Sequence, residues 1–161
     1  MSKVFLEGKT DFAFVRALGI SRKNARVLDS KGEVCNYLAK HSEVIGLVDE
    51  DPGYTPSKYL QKLQKEELEH DLLLYLDSKN NNKIIALRPR LEEWLIKVCK
   101  KAGVKMNDPN NPKYELKLPN RPKELHDFLP QHLGQLEKLV AHLLELKNPA
   151  LLLLQSHLLE K

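Results

Sequence analysis

The strongest constraint on this chain is the run Val44-Ile45-Gly46-Leu47-Val48, which passes without a spacer into Asp49-Glu50-Asp51-Pro52-Gly53. A continuous apolar run of this kind predicts a strand over residues 43–48 that is buried on both faces, as inner strands of parallel sheets are. Pro52 and Gly53 end it. A parallel sheet needs crossover connections, and the preceding sequence supplies them. Val4-Phe5-Leu6 is a shorter run that stops at Glu7-Gly8. Phe12, Phe14, Val15 and Leu18 then recur at helical spacing, with Thr10 as the predicted cap. Residues 25–29 read as a second short strand, and Gly32 opens a helix carrying Val34, Cys35, Leu38 and Ala39. This order predicts an α/β fold: a mostly parallel central sheet, doubly wound, flanked by helices with right-handed crossovers.

Beyond the acidic loop, residues 57–69 read as a charged helix. Residues 72–76 and 84–87 flank Ser78-Lys79-Asn80-Asn81-Asn82, a hairpin signal with Asn supplying the turn. Residues 91–102 form a predicted helix that Gly103 stops. Four of the nine prolines fall in residues 107–122, a long surface excursion, and three helices follow, with Asn148-Pro149 separating the last two. The expected division is an α/β domain over 1–105, with 106–161 as a Pro-rich excursion and helical C-terminal extension packed on the same domain. Leu133, Leu136, Leu139, Val140, Leu143 and Leu144 form a broad apolar stripe. It serves either as a cap on the sheet or as the interface of a homodimer.

At 161 residues the chain suits one compact domain, and its net charge of +4 allows a polyanionic partner without requiring one. Cys35 and Cys99 form no C-x-x-C pair and read as buried reduced thiols. Lys3, Glu7, Lys9 and Asp11 interrupt the start as a signal peptide, and Leu151-Leu152-Leu153-Leu154 is far shorter than a membrane span. A soluble, cytoplasmic protein without membrane contact is expected.

Chemistry in such a sheet collects where strands end. Glu7 follows the first strand, and Asp49 and Asp51 follow the third. If these strands are neighbours, three carboxylates converge, and Asp11, one helical turn beyond Glu7, joins them. Like charges gathered in this way need a cation or a retained proton. Oxygen-only ligands favour a hard ion, Mg²⁺ or Mn²⁺, which would grip phosphate oxygens. Gly8 and Gly53 each follow an acid where the chain must turn. Charge is also uneven: residues 49–77 carry eight acids against three lysines, and residues 79–105 carry eight bases against Glu92 and Glu93. The basic stretch is either a solvated face or a phosphate-gripping rim, with Lys9, Lys79, Lys83, Arg88 and Arg90 as candidate nucleic-acid contacts.

Val4-Phe5-Leu6-Glu7-Gly8-Lys9-Thr10-Asp11 and Ile45-Gly46-Leu47-Val48-Asp49-Glu50-Asp51-Pro52-Gly53 together resemble the topoisomerase–primase (Toprim) domain. In that domain a hydrophobic strand ends in Glu, often as E-G-x-x-D, and D-x-D follows at a later strand end. The likeness covers residues 3–95. It implies a Rossmann-like Toprim fold, with Glu7 as general acid/base and Asp49 and Asp51 as Mg²⁺ ligands. The activity it implies is nuclease chemistry on DNA or RNA phosphodiesters. No upstream Tyr-bearing topoisomerase domain and no primase zinc module is expected beside it, so topoisomerase and primase activities are not the expectation. The size is similar to stand-alone Toprim nucleases, to overcoming-lysogenization-defect nucleases, and to small Toprim proteins that accompany ATPases in phage defence. In such nucleases a further acid can follow the last strand, which makes Glu92 a second-metal candidate; alternatively, Glu92 is a helix-start acid that serves only the helix dipole.

Rival folds share fragments of this pattern. Gly8-Lys9-Thr10 mimics the end of a P-loop, yet the first glycine of that motif would fall on Lys3. A haloacid-dehalogenase-type phosphatase carries D-x-D on its first strand, and a phosphate-receiver domain needs an acidic pair there. The rival of a different class is a non-catalytic binding or regulatory module working with a partner such as an ATPase. His126, His132, His142 and His157 lack ligand spacing and read as surface or packing residues. Trp94 reads as core, and Tyr54 and Tyr59 as packing residues or base-stacking platforms.

Overall fold

The computed structural model describes residues 2–159. Six strands form one sheet: β1 (Val4–Leu6), β2 (Ala25–Val27), β3 (Ile45–Asp49), β4 (Gln64–Leu68), β5 (Leu72–Asp77) and β6 (Asn82–Leu87). Their spatial order is β2-β1-β3-β6-β5-β4. The first four in that order run parallel, while β5 and β4 are antiparallel additions. The result is an α/β fold with a six-stranded, mostly parallel sheet flanked by helices, consistent with a Rossmann-like arrangement.

β3 lies between β1 and β6, which explains its uninterrupted apolar sequence. Ile45 and Leu47 face one core, and Val48 faces the other. Helices α1 (Lys9–Ala17) and α2 (Lys31–Lys40) carry the chain out to the edge strand β2 and back. Right-handed crossovers place them on opposite faces, and their buried residues divide accordingly. Ser30 caps α2 by accepting from the Glu33 N–H at 3.1 Å. α1 begins at Gly8 without a side-chain cap, so the role expected of Thr10 is not taken up. α2 lies so close to the sheet that a Cβ on Gly46 would meet Val34 Cγ1 at 3.0 Å and Ile84 Cγ1 at 3.3 Å. Only glycine fits that approach without displacement.

The charged helix expected over residues 57–69 is not formed. A short helix, α3 (Lys58–Gln61), gives way to β4, which pairs with β5 through Leu68↔Leu72 and Gln64↔Leu76. Lys65, Glu66 and Glu67 are exposed along this outermost strand, and charge there discourages pairing with other chains. The following β5–β6 hairpin turns at the asparagines, with Asn81 at φ 56°. Asp77 holds that turn, accepting from the Asn80 N–H at 3.1 Å and from Tyr59 Oη at 2.7 Å. Tyr59 is thereby a packing residue.

α4 (Leu91–Ala102) buries Trp94 and ends at Gly103, whose φ of 68° forms the left-handed C-cap. Residues 103–121 are not a free excursion, because Met106, Leu116 and Leu118 anchor them in the core. α5 (Pro122–Phe128), α6 (Leu133–Glu145) and α7 (Pro149–Leu158) complete the face that carries α1 and α4. Leu136, Leu139, Val140 and Leu143 are fully buried there. The apolar stripe is therefore spent capping the chain's own sheet, which leaves Leu146, Leu152 and Leu159 as the large exposed apolar residues of this region. The same core contains residues from before and after position 105. Cys35 and Cys99 are buried free thiols. Among the described residues no helix is long and apolar enough to cross a membrane.

Candidate active site

Because β1, β3 and β6 are parallel neighbours, their C-terminal ends open on one edge. Glu7 leaves β1 there, Asp49 ends β3, and Glu92 stands in the first turn of α4, just beyond β6. Asp11, in the first turn of α1, completes the group. The backbone locks two of these carboxylates in place: the Asp49 N–H donates to Glu7 Oε2 at 2.9 Å, and the Leu91 N–H donates to Asp49 Oδ1 at 2.9 Å. One bond joins β1 to β3, and the other joins β3 to the start of α4. The N-termini of α1 and α4 lie at this edge, an orientation that favours negative charge.

The electrostatics reflect crowding of like charge. Burial pushes the Asp49 carboxyl up to about 8, with Asp11, Glu7 and Glu92 adding to the rise and the Leu91 amide opposing it. Burial likewise takes Asp11 up to about 7, reinforced by Glu7 and Glu92. Glu7 is also raised, chiefly by burial, against the pull of the Asp49 amide. Lys31 is the cation that eases Glu7, yet its Nζ donates to the Glu50 carbonyl oxygen at 2.9 Å rather than to a carboxylate.

Asp51 belongs to the same loop and adds to the repulsion on Glu7. It adopts φ 52° and is followed by Gly53 at φ 94°, so the D-x-D-P-G segment turns through left-handed backbone. Gly8 is different: its φ of −164° is open to any residue, and no conformational need for glycine exists there.

The basic residues are distributed differently from the sequence expectation. Lys83 pairs with Ile45 at the opposite end of the sheet, and Lys79 lies in the turn beyond it. Neither stands on the carboxylate edge, because β5 and β6 carry their turn away from it. Arg88 and Arg90 do reach that edge, but both are engaged with acids. Arg88 bridges Glu50 at 3.2 Å and Glu67 at 3.1 Å, while Arg90 bridges Asp51 at 3.1 Å and Glu93 at 3.3 Å. Lys9, the first residue of α1, is exposed beside the cluster.

One polar contact was hidden from sequence reasoning. His126 Nδ1 lies 2.9 Å from Glu92 Oε1, tying α5 directly to the carboxylate cluster. His126 is therefore more than the surface or packing residue expected from its spacing. No local pattern announces a contact between residues so far apart in the chain. On the other side of the loop, a cleft of about 590 Å³ is lined by Lys31, Cys35, Tyr54, Lys65, Tyr75 and Arg90. Tyr54, 75% exposed, stands open at this cleft, unlike Tyr59.

The donor set suits a hard divalent cation in kind: all oxygen, crowded, and pushed toward protonation in the cation's absence. Among the described residues no three His, Cys, Asp or Glu side chains already stand in a metal-holding arrangement. In the structure Glu7 and Asp49 each accept from a backbone amide through one oxygen, Glu92 meets His126, and Asp51 meets Arg90. Compared with known proteins, the chain matches no family model, no curated protein and no solved structure.

Proposed function

We propose that this chain is a Toprim-type nuclease, a Mg²⁺- or Mn²⁺-dependent phosphodiesterase acting on DNA or RNA. The observation that carries the proposal is the convergence of Glu7, Asp11, Asp49 and Glu92 at the carboxyl edge of adjacent parallel strands, with Asp49 and Asp11 pushed up to about 8 and 7. Acids held at such cost mark functional sites. In this reading Asp49 and Asp51 hold the cation, and Asp11 and Glu92 are available to complete its shell. When bound, the cation would polarise a phosphoryl oxygen and stabilise the leaving oxygen. Glu7 binds its proton more tightly than an ordinary carboxylate, which suits a general acid/base working nearer neutral pH. Asp49 presents its backbone N–H to Glu7 and so fixes the direction in which that acid points. His126 does the same for Glu92 from α5.

The experiment is cleavage of labelled DNA and RNA with Mg²⁺ or Mn²⁺, beside EDTA and a Glu7→Gln variant. Gln retains an oxygen acceptor for the Asp49 amide but loses the acid. Metal-dependent cutting that the variant lacks is the expected result, and the labelled polymer that is cut identifies the substrate. Absence of cutting with either metal would overturn the nuclease reading in favour of a non-catalytic module serving a partner such as an ATPase.

A further inference from the structure

A groove of about 570 Å³ runs between α1 and α6, lined on one side by Lys9, Phe12, Arg16 and Arg22 and on the other by Leu133 and Glu137. It starts beside the carboxylate edge, because Lys9 is the first residue of α1 and follows Glu7 by two positions. Lys9 and Arg16 are seven residues apart on one helix, a rise of about 10 Å. That is roughly the length of three stacked nucleotides along one strand.

Two features set this groove apart from Arg88 and Arg90, the arginines beside the acidic loop. Its cations are uncompensated: Lys9, Arg16 and Arg22 are all exposed, and the described ion pairs include none of them. Arg88 and Arg90, by contrast, are each neutralised by two acids. Only Glu137 opposes the three bases in the lining. The second feature is aromatic. The Arg22 guanidinium lies over the Phe12 ring, 5.8 Å from its centroid, and this places a flat cationic group in the groove. A cationic track combined with a planar stacking surface is how proteins hold unpaired bases, whereas a duplex hides its base faces.

We infer that the α1–α6 groove binds single-stranded nucleic acid and leads it to the carboxylate edge. The inference rests on the proposed nuclease reading for what happens at that edge, but not for binding itself. The C-terminal extension thereby supplies the second wall of the track, since Leu133 and Glu137 belong to α6.

The test is fluorescence anisotropy with a labelled 12-nucleotide DNA and RNA and the corresponding duplexes, in EDTA, across a salt series. Arg16→Ala/Arg22→Ala is compared with Lys3→Ala/Lys40→Ala, which removes equal charge at the opposite end of the sheet, where Lys3 precedes β1 and Lys40 ends α2. Arg16 also donates to the Ile20 carbonyl at 3.1 Å, so Lys9→Glu provides a second variant that leaves this contact intact. Expected is single-strand binding by the wild type, at least tenfold weaker in both groove variants and unchanged in the control. The slope of log affinity against log salt should fall by about 1.4 for the double groove variant, at roughly 0.7 per lost phosphate contact. Equal loss in the control, unchanged binding in the groove variants, tighter duplex binding, or no binding by the wild type would overturn the inference. Binding through the groove without cleavage in Mg²⁺ would refute the nuclease reading and leave the groove standing. Cleavage with undiminished binding in the groove variants would do the reverse.

Discussion

Asp49→Asn separates the two demands on the carboxylate edge, because it removes the charge and keeps the shape. Asn retains the oxygen that accepts from the Leu91 N–H at 2.9 Å. The Asp49 carboxyl is raised from 3.8 to about 8, so between those values the folded protein binds a proton that the unfolded chain releases. Stability from this group is therefore fully present below about pH 4 and is lost as pH rises toward 8. At about 1.4 kcal/mol per pH unit the whole interval would be worth roughly 6 kcal/mol. Asp11, Glu7 and Glu92 share the repulsion and can take up protons in their turn, which leaves ~2 kcal/mol as the working size. In EDTA at pH 8 the Asn variant should thus melt about 4–8 °C above the wild type, with the gap closing toward pH 4. Mg²⁺ should raise the wild-type melting temperature at pH 8, by linkage to the ionised cluster, and should not raise that of the variant. Thermal melts over pH 4–8.5 with and without Mg²⁺ read all of this. An Asn variant less stable than the wild type at pH 8, or a wild type whose stability rises from pH 5 to 8, would refute the electrostatic reasoning.

Two further substitutions probe the supports of the site. His126→Ala should leave melting within about 2 °C, because the side chain is 71% exposed. It should nonetheless raise the Mg²⁺ concentration for half-maximal cleavage about tenfold, as loss of an outer partner to a ligand does; an unchanged metal titration would remove Glu92 from the working cluster. Gly46→Val should cost at least 1–3 kcal/mol in a urea melt, since its first carbon already meets Val34 Cγ1 at 3.0 Å. Val34→Ala in the same chain should return part of that loss, and strict additivity of the two substitutions would show that α2 does not press on β3 there.

The parts of the fold legible in the sequence were those fixed by local pattern together with an end signal. β3 announced itself by an apolar run with acids, Pro and Gly behind it, and the last three helices by Leu spacing and the Asn148-Pro149 break. β4 was illegible for a physical reason. Gln64-Lys65-Glu66-Glu67-Leu68 has good helix formers, and an outermost strand need bury little of its own. What makes it a strand is the pairing partner offered by the buried leucines of β5, a tertiary cause. The contact between His126 and Glu92 is equally tertiary, and so are the ion pairs that occupy Arg88 and Arg90.

The same distinction governs where positive charge can act. Charge counted along the sequence joins Lys79 and Lys83 to Arg88 and Arg90, although most of β6 lies between the two pairs, about 16 Å from Lys83 to Arg88. A window cannot register that a hairpin carries its turn to the wrong edge, nor that an arginine already faces two carboxylates. Around α1 the error runs the other way. Lys9, Arg16 and Arg22 are spread over fourteen positions and form no run, yet a helix and its following turn set them along one groove. Net basic charge of the chain is small, so a polyanion would be held only where bases escape neutralisation. That condition is met on the α1 side of the carboxylate edge, and it is not met at Arg88 or Arg90 beside the acidic loop.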